Sequence, residues 1–188
     1  MPSAELVKAS LLDFEPASQT ERSFKDRMVS LCATKAPFSR HQFEPGHFTA
    51  SAFILSANYE SLLLIHHAKL HRWLQPGGHV ELTDESLLAA ATREAMEECS
   101  LKASDLELLS SEPFDLDIHR IPARKDEPEH EHFDVRFLFR CRTDRASAGD
   151  EVLDLAYVAF EHINAVESDQ SVMRAVKRLQ AMEFSATP

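Results

Sequence analysis

The chain has 188 residues, a length suited to one domain with a small extension. Hydrophobic residues make up 44%, enough for a real core, and 4 Gly with 9 Pro exclude a low-complexity or collagen-like chain. A net charge of −11 repels phosphate backbones and argues against broad nucleic-acid binding, whereas a small anion bridged by a cation is compatible with it. The longest aliphatic stretch, Leu62 to Ile65, falls far short of the roughly 18 apolar residues of a membrane span. The N-terminus, Met1 to Glu5, has no basic region followed by an apolar block, so no secretory signal is expected. Cys32, Cys99 and Cys141 are odd in number, widely spaced and without zinc-finger spacing, which suits a reducing cytoplasm.

In chain order, residues 4 to 34 read as helical. Phe24, Met28, Leu31 and Cys32 share one face, and Ser18 with Glu21 predicts a capping box. Pro37, Pro45 and Gly46 break that pattern. Phe48 to Leu55 and Ser61 to His67 predict a hairpin of strands. Trp73 to Glu81 reads as a strand end and a loop around Gly77-Gly78. A chain with only 4 glycines that doubles one predicts unusual backbone geometry there. Thr83 or Asp84 is expected to cap a helix from about Glu85 to Cys99.

Strands are expected at Leu106 to Leu109, Phe114 to Ile121, Phe133 to Cys141 and Leu155 to Phe160. Lys125 to His132 reads as a charged loop, and Val172, Val176 and Leu179 mark a closing helix. In Phe133 to Cys141, the apolar Val135, Phe137 and Phe139 alternate against Arg136 and Arg140. The order predicts an α+β or mixed-sheet α/β layer fold.

Arg93-Glu94-Ala95-Met96-Glu97-Glu98 carries the chemistry. At about 100° per residue, Glu94 and Glu98 stack on one side of the helix with Glu97 beside them. Leu88, Ala91, Ala95 and Cys99 take a different arc, suited to packing on a sheet. Two such carboxylates about 6 Å apart repel by about 3 kcal/mol at an effective dielectric near 20. Solvent screening, protonation or a cation relieves that. Hard oxygen ligands suit Mg²⁺ or Mn²⁺. An acidic helix face is most often just a solvated surface, so the neighbouring strand, glycine pair and Arg93 matter.

Gly78 through Leu101 resembles the Nudix box, G-x5-E-x7-R-E-U-x-E-E-x-G-U, where U is bulky and aliphatic. Glu85 is followed by seven residues and Arg93-Glu94; Ala95 takes the U position, Glu97-Glu98 the paired acids and Leu101 the last U. Two departures stand out. Six residues separate Gly78 from Glu85, read as a one-residue loop insertion, and Ser100 replaces the late glycine. Neither removes a ligand position. The resemblance extends over roughly 45 to 183. It implies a Nudix αβα sandwich at 45–188 with an N-terminal helical extension at 1–44.

The resemblance implies roles by position. Glu94 and Glu98 lead as metal ligands, Glu97 assists, Glu97 and Glu98 are catalytic, and the Gly78 carbonyl adds a ligand. Arg93 and Glu85 support the box through ion pairs. Mg²⁺ or Mn²⁺ is the cofactor. The implied reaction is hydrolysis of a diphosphate linkage in a nucleoside diphosphate joined to another moiety. The alternative is a silent Nudix-fold nucleotide-binding or regulatory module, against which the intact acid run speaks. A glutamate outside the box often serves as base or extra ligand in the family; Glu127, Glu129 and Glu131 are the candidates, against a solvated charged loop. Homodimerisation is common in the family.

Histidine is concentrated at His66, His67, His71, His79, His119, His130 and His132. His130 and His132 alternate and share a face in an extended segment. With His119 they are candidates for phosphate contact or a second, softer metal, against ordinary hydrogen-bonded histidines. His66 and His67, at a strand end, fall on the ordinary side. Trp73 is expected to pack on the glycine loop, while Phe48 and Phe133 are candidates for stacking on a base.

Overall fold

The computed structural model describes residues 1–184 apart from 69, 126, 144, 151, 167 and 183. The elements are α1 (Ala4–Asp13), α2 (Gln19–Leu31), β1 (His47–Leu55), β2 (Ser61–His67), β3 (Arg72–Leu74), β4 (Gly77–His79), α3 (Leu87–Cys99), β5 (Leu106–Leu108), β6 (Asp115–Ile121), β7 (His130–Cys141), β8 (Val152–Ala159) and α4 (Gln170–Gln180). The strands are hydrogen-bonded in the order β3-β2-β1-β7-β5, with β4 on β1, β6 on β7 and β8 on β2. The fold is thus the α+β, mixed-sheet type that the sequence predicts. No helix among the described residues is long and apolar enough to cross a membrane. By contacts the chain divides into two compact units, and β1, α3 and β7 each contribute residues to both.

The first unit holds residues 1–51, 77–91 and 110–137. The single helical segment expected over 4 to 34 is two helices. Pro16 cannot donate a backbone hydrogen bond and disfavours helix at the residue before it. Lys25 Nζ instead donates to the carbonyls of Leu12 and Phe14, each at 2.7 Å, and so closes the end of α1. Ser18 Oγ accepts from Glu21 N at 3.1 Å, while Glu21 Oε2 accepts from Ala17 N rather than from Ser18. The cap is therefore one residue wider than the reciprocal box. Met28 and Leu31 are buried as their spacing predicts.

Gly77 to His79 is strand, not loop, and pairs antiparallel with Ser51 to Thr49 of β1. Neither Gly77 nor Gly78 has the positive φ that a glycine pair suggested. Gly77 is needed for close approach instead: a Cβ there would lie 2.7 Å from Ser51 Cα. The cap of α3 is Ser86, whose Oγ accepts from Ala89 N at 3.0 Å. Asp84 turns back into the loop and accepts from Glu81 N at 2.8 Å. β7 begins at His130, so the end of the expected charged loop is strand; Asp126 of that loop lies outside the described residues.

The second unit holds residues 52–76, 92–109 and 138 onward. β2 is its spine, antiparallel to β8 from Ser61↔Ala159 to Ile65↔Leu155 and to β3 at Ile65↔Leu74. Leu62 to Ile65 is buried on both faces, which is why it reads as a continuous aliphatic run. Arg140 fixes the turn before β2: its guanidinium donates twice to Ala57 O, at 2.9 and 2.6 Å, and lies over the Tyr59 ring.

The C-terminal carbonyls of α3 are satisfied by a distant segment. Ser147 N donates to Cys99 O at 3.0 Å and Gly149 N to Glu98 O at 2.9 Å. A Cβ at Gly149 would lie 2.2 Å from Glu97 O, so only glycine permits this seal. Ser100, at the late glycine position of the box, adopts φ 50°, the left-handed conformation that glycine takes without cost. Two substitutions should therefore act in opposite directions. Ser100→Gly should stabilise by about 0.5–1 kcal/mol. Gly149→Ala should destabilise by about 1–3 kcal/mol through overpacking. Urea unfolding of the two variants beside the parent measures both signs.

Candidate functional site

The carboxylates of α3 are placed by helix periodicity. Arg93 Nη1 donates to Glu94 Oε1 at 2.9 Å and to Glu97 Oε2 at 3.1 Å, so one guanidinium bridges both. The Glu94 side chain is 15% exposed and that of Glu97 60%, with Glu98 half-buried. Ala91, Ala95 and Cys99 are buried as their spacing predicts, and Leu87 rather than the half-buried Leu88 completes that arc, which runs directly beside the carboxylates. Burial pushes the Cys99 thiol well above its ordinary range, with the neighbouring Glu98 charge adding to it. Three carboxylates gathered along one side of the helix offer hard oxygen donors, and that donor chemistry fits Mg²⁺ or Mn²⁺. Glu85 is exposed, and Gly78 sits in the middle of β4 opposite Ala50.

A second polar assembly occupies one face of the strands of the first unit. The register pairs Asp115 with Arg136, Asp117 with Asp134 and His119 with His132. Because side chains alternate along a strand, these residues share a face. Arg136 is 1% exposed. Its Nε donates to Asp134 Oδ2 at 2.8 Å, its Nη1 to Asp115 Oδ2 at 2.9 Å, and its Nη2 lies 3.4 Å from Asp117 Oδ2. Ser51 and Thr49 of β1 add hydroxyl donors to Asp134, at 2.8 and 3.2 Å to Oδ1. Burial alone would lower the Arg136 pKa, but the three aspartates outweigh it and raise it. The expected alternation on β7 is correct, but its polar face is inside rather than in solvent.

The histidines continue the same face. His119 Nδ1 lies 3.1 Å from Asp117 Oδ2. The rings of His47, His130 and His132 form a near-regular triangle, with centroids 5.2, 4.8 and 5.2 Å apart. His79 stands 5.2 Å from His47 and 5.0 Å from His132, and His119 5.4 Å from His132. His47 Nδ1 bonds the Gln42 carbonyl at 3.1 Å and His130 Nδ1 the Pro128 carbonyl at 2.8 Å. Desolvation, then the surrounding imidazoles, holds His132 far below the ordinary histidine range; desolvation also lowers His47. Among the described residues, His47, His130 and His132 are the one set of three potential metal ligands whose donor atoms all lie within 4.8 Å of one another. The α3 carboxylates do not form such a set.

Sequence reasoning brought His119, His130 and His132 together but missed His47. The signal was present in the period-two series His47, Thr49, Ser51 at the start of β1. Glu131 alternates away from His130 and His132 and pairs with Arg27 of α2. Glu127 and Glu129 pair with Arg40 and Arg120, each at 3.5 Å, on exposed surface. Phe48 and Phe133 are buried in the core rather than open to a base. Trp73 packs against His66, with centroids 5.3 Å apart, and its carbonyl accepts from Ser168 Oγ.

A carboxylate-rich helix following a glycine-bearing strand in an α+β fold agrees with the Nudix resemblance of the sequence. The NUDIX domain family matches residues 45–179, and the chain belongs to that family of hydrolases. Three solved structures share the fold. A Nudix-family hydrolase from Clostridium perfringens is 24% identical, with a TM-score of 0.54, over 73% of this chain and 98% of its own. The dihydroneopterin triphosphate pyrophosphohydrolase of E. coli is 17% identical, with a TM-score of 0.56, over 70% and 92%. A C. elegans Ap4A hydrolase in a binary complex is 17% identical, with a TM-score of 0.51, over 71% and 95%. No curated protein matches the sequence.

Removing Arg136 leaves three buried aspartates without their countercharge. Arg136→Met should cost about 3–5 kcal/mol in urea unfolding. Adding Asp117→Asn to it should recover part of that loss, because Asp117 and Asp134 face each other across β6 and β7. Equal loss in the single and double variants would contradict this account of the charges.

Proposed function

We propose that the chain is a metal-dependent pyrophosphohydrolase that cleaves the diphosphate linkage of a nucleoside diphosphate joined to another moiety. The observation that carries this is the complete run Arg93-Glu94-x-x-Glu97-Glu98, borne on the helix α3 of a family member. The names of two similar structures, a dihydroneopterin triphosphate pyrophosphohydrolase and an Ap4A hydrolase, support the same bond class. The partner class is a small nucleotide-type molecule. Cys32, Cys99 and Cys141 are buried and form no disulfide with one another, which agrees with a cytoplasmic setting. Residues 1–44 are the helical extension and the Nudix domain runs from 45 toward 188. The family match supports that boundary by starting at 45, although residues 1–51 share one compact unit with 77–91 and 110–137.

Glu94 and Glu98 are the leading ligands for Mg²⁺ or Mn²⁺, with Glu97 assisting and the Gly78 carbonyl as a further donor. Such an ion, when bound, neutralises phosphate charge and lowers the pKa of water at phosphorus. Glu97 and Glu98 are the groups proposed to orient that water and accept its proton. Arg93 holds Glu94 and Glu97 in place between ligand and structural roles, and Glu85 supports the box. Glu129, Glu131, His119, His130 and His132 are lesser candidates for substrate contact; the ion pairs of Glu129 and Glu131 speak for structure first.

The test is a hydrolysis screen with Mg²⁺ or Mn²⁺ over ADP-ribose, NADH, dinucleoside polyphosphates, nucleoside triphosphates and nucleotide sugars. The parent should turn over one class, and Glu98→Gln should lose about 100-fold or more in kcat while remaining folded. Full activity in Glu98→Gln would remove the helix from the mechanism. A folded parent inactive on every compound would establish the silent binding module instead.

A further inference from the structure

We propose that His47, His130 and His132 form a binding site for a borderline transition-metal ion of the Zn²⁺ class, coordinated by three imidazole nitrogens. This goes beyond the hydrolytic reading and uses none of its carboxylates.

The first support is convergence. The three donor atoms lie within 4.8 Å of one another and the three rings form a near-regular triangle. A tetrahedral Zn²⁺ with Zn–N bonds of about 2.0–2.1 Å sets its ligand nitrogens about 3.3 Å apart. Modest ring rotation closes that gap. Two of the ligands stand on consecutive inward positions of β7 and the third at the start of β1, so regular strands hold them rather than a loop.

The second support is the hydrogen-bond arrangement. His47 Nδ1–H donates to the Gln42 carbonyl and His130 Nδ1–H to the Pro128 carbonyl. Each bond fixes the tautomer that leaves Nε2 with its lone pair, as in metal-binding histidines whose other ring nitrogen donates to a carbonyl. His47 Nε2 and His132 Nε2 are buried with no hydrogen-bond partner. A buried polar nitrogen left unpaired carries the full cost of its lost hydration. Two on neighbouring rings of one cluster are explained if both face a cation.

The third support is ligand type. Neutral imidazole suits Zn²⁺, Ni²⁺ and Cu²⁺ far better than Mg²⁺, which takes oxygen. No carboxylate belongs to the trio. Three protein ligands leave a fourth position for water or a phosphate oxygen, as in zinc sites that bind substrate.

The test uses the full chain, stripped with chelator and held in excess Mg²⁺ so that carboxylates are occupied. Zn²⁺ alone is titrated by calorimetry, and Co²⁺ is used as a visible-absorbing substitute. One equivalent of Zn²⁺ should bind, and Co²⁺ should show the intense bands of a four-coordinate site. His47→Gln and His130→Gln should each weaken Zn²⁺ by more than the roughly 10–100-fold that loss of an outer-shell partner costs. Glu98→Gln should bind Zn²⁺ as the parent does. Imidazole nitrogen NMR of the parent covers the case of a variant that does not fold: Zn²⁺ should shift the Nε2 resonances of these three histidines first. No stoichiometric Zn²⁺, equal affinity in the histidine variants, shifts at other histidines, or loss of binding in Glu98→Gln would each overturn the site.

Discussion

Arg136 is the constraint on which the sheet of the first unit depends. A buried guanidinium is costly unless its charge is compensated, and here each of its three nitrogens faces an aspartate of β6 or β7. The arrangement works in one register only. A slip by one residue would turn Val135 and Phe133 onto the polar face and strand Asp134 and Arg136 among apolar side chains. The same register that satisfies Arg136 aligns His119 with His132 and puts His130 and His132 on one face. Ser51 and Thr49, bonded to Asp134, tie β1 into that alignment and so place His47 as well. The charged group thus sets the geometry of the imidazoles without touching the triangle itself.

The second unit solves a different problem. The acidic end of α3 places carboxylates close together near a helix C-terminus, where the dipole disfavours negative charge. Arg93 offsets part of that repulsion from within the helix, and Ser147 and Gly149 cap its last carbonyls. The helix end is therefore held by hydrogen bonds from a distant segment while its acids stay partly exposed. A helix end held in this way and carrying clustered carboxylates offers the oxygen donors that suit a hard cation, and it is the basis of the hydrolytic proposal.

The helix and its box were legible because helix periodicity and motif spacing both survive in one short stretch. Ser86 rather than Asp84 caps it, and Asp84 accepts from Glu81 N instead. The strands were legible wherever an apolar run was long, as in β1, β2 and β7. β4 was not, because three residues around a glycine pair show no periodicity. The buried polar face was the larger miss. Alternation shows which residues share a face but not whether that face is covered. Arginine is so rarely buried that Arg136 reads as solvent-facing until its three partners are seen together. His47 stands alone in sequence, and only the pairing of distant strands brings it to His130 and His132. Ser100 shows the converse: the box reveals the position where glycine is expected, and the structure confirms the left-handed backbone there.

The two proposed donor sets differ in chemistry, hard oxygens on α3 and borderline nitrogens on β1 and β7. Simultaneous titration with Mn²⁺ and Zn²⁺ tests that most directly, with bound Mn²⁺ followed by electron paramagnetic resonance. Saturating Zn²⁺ should leave a Mn²⁺ site filled, Glu98→Gln should empty it, and His130→Gln should not. One-for-one displacement of Mn²⁺ by Zn²⁺ at a single site, or a Mn²⁺ signal indifferent to Glu98→Gln, would contradict it.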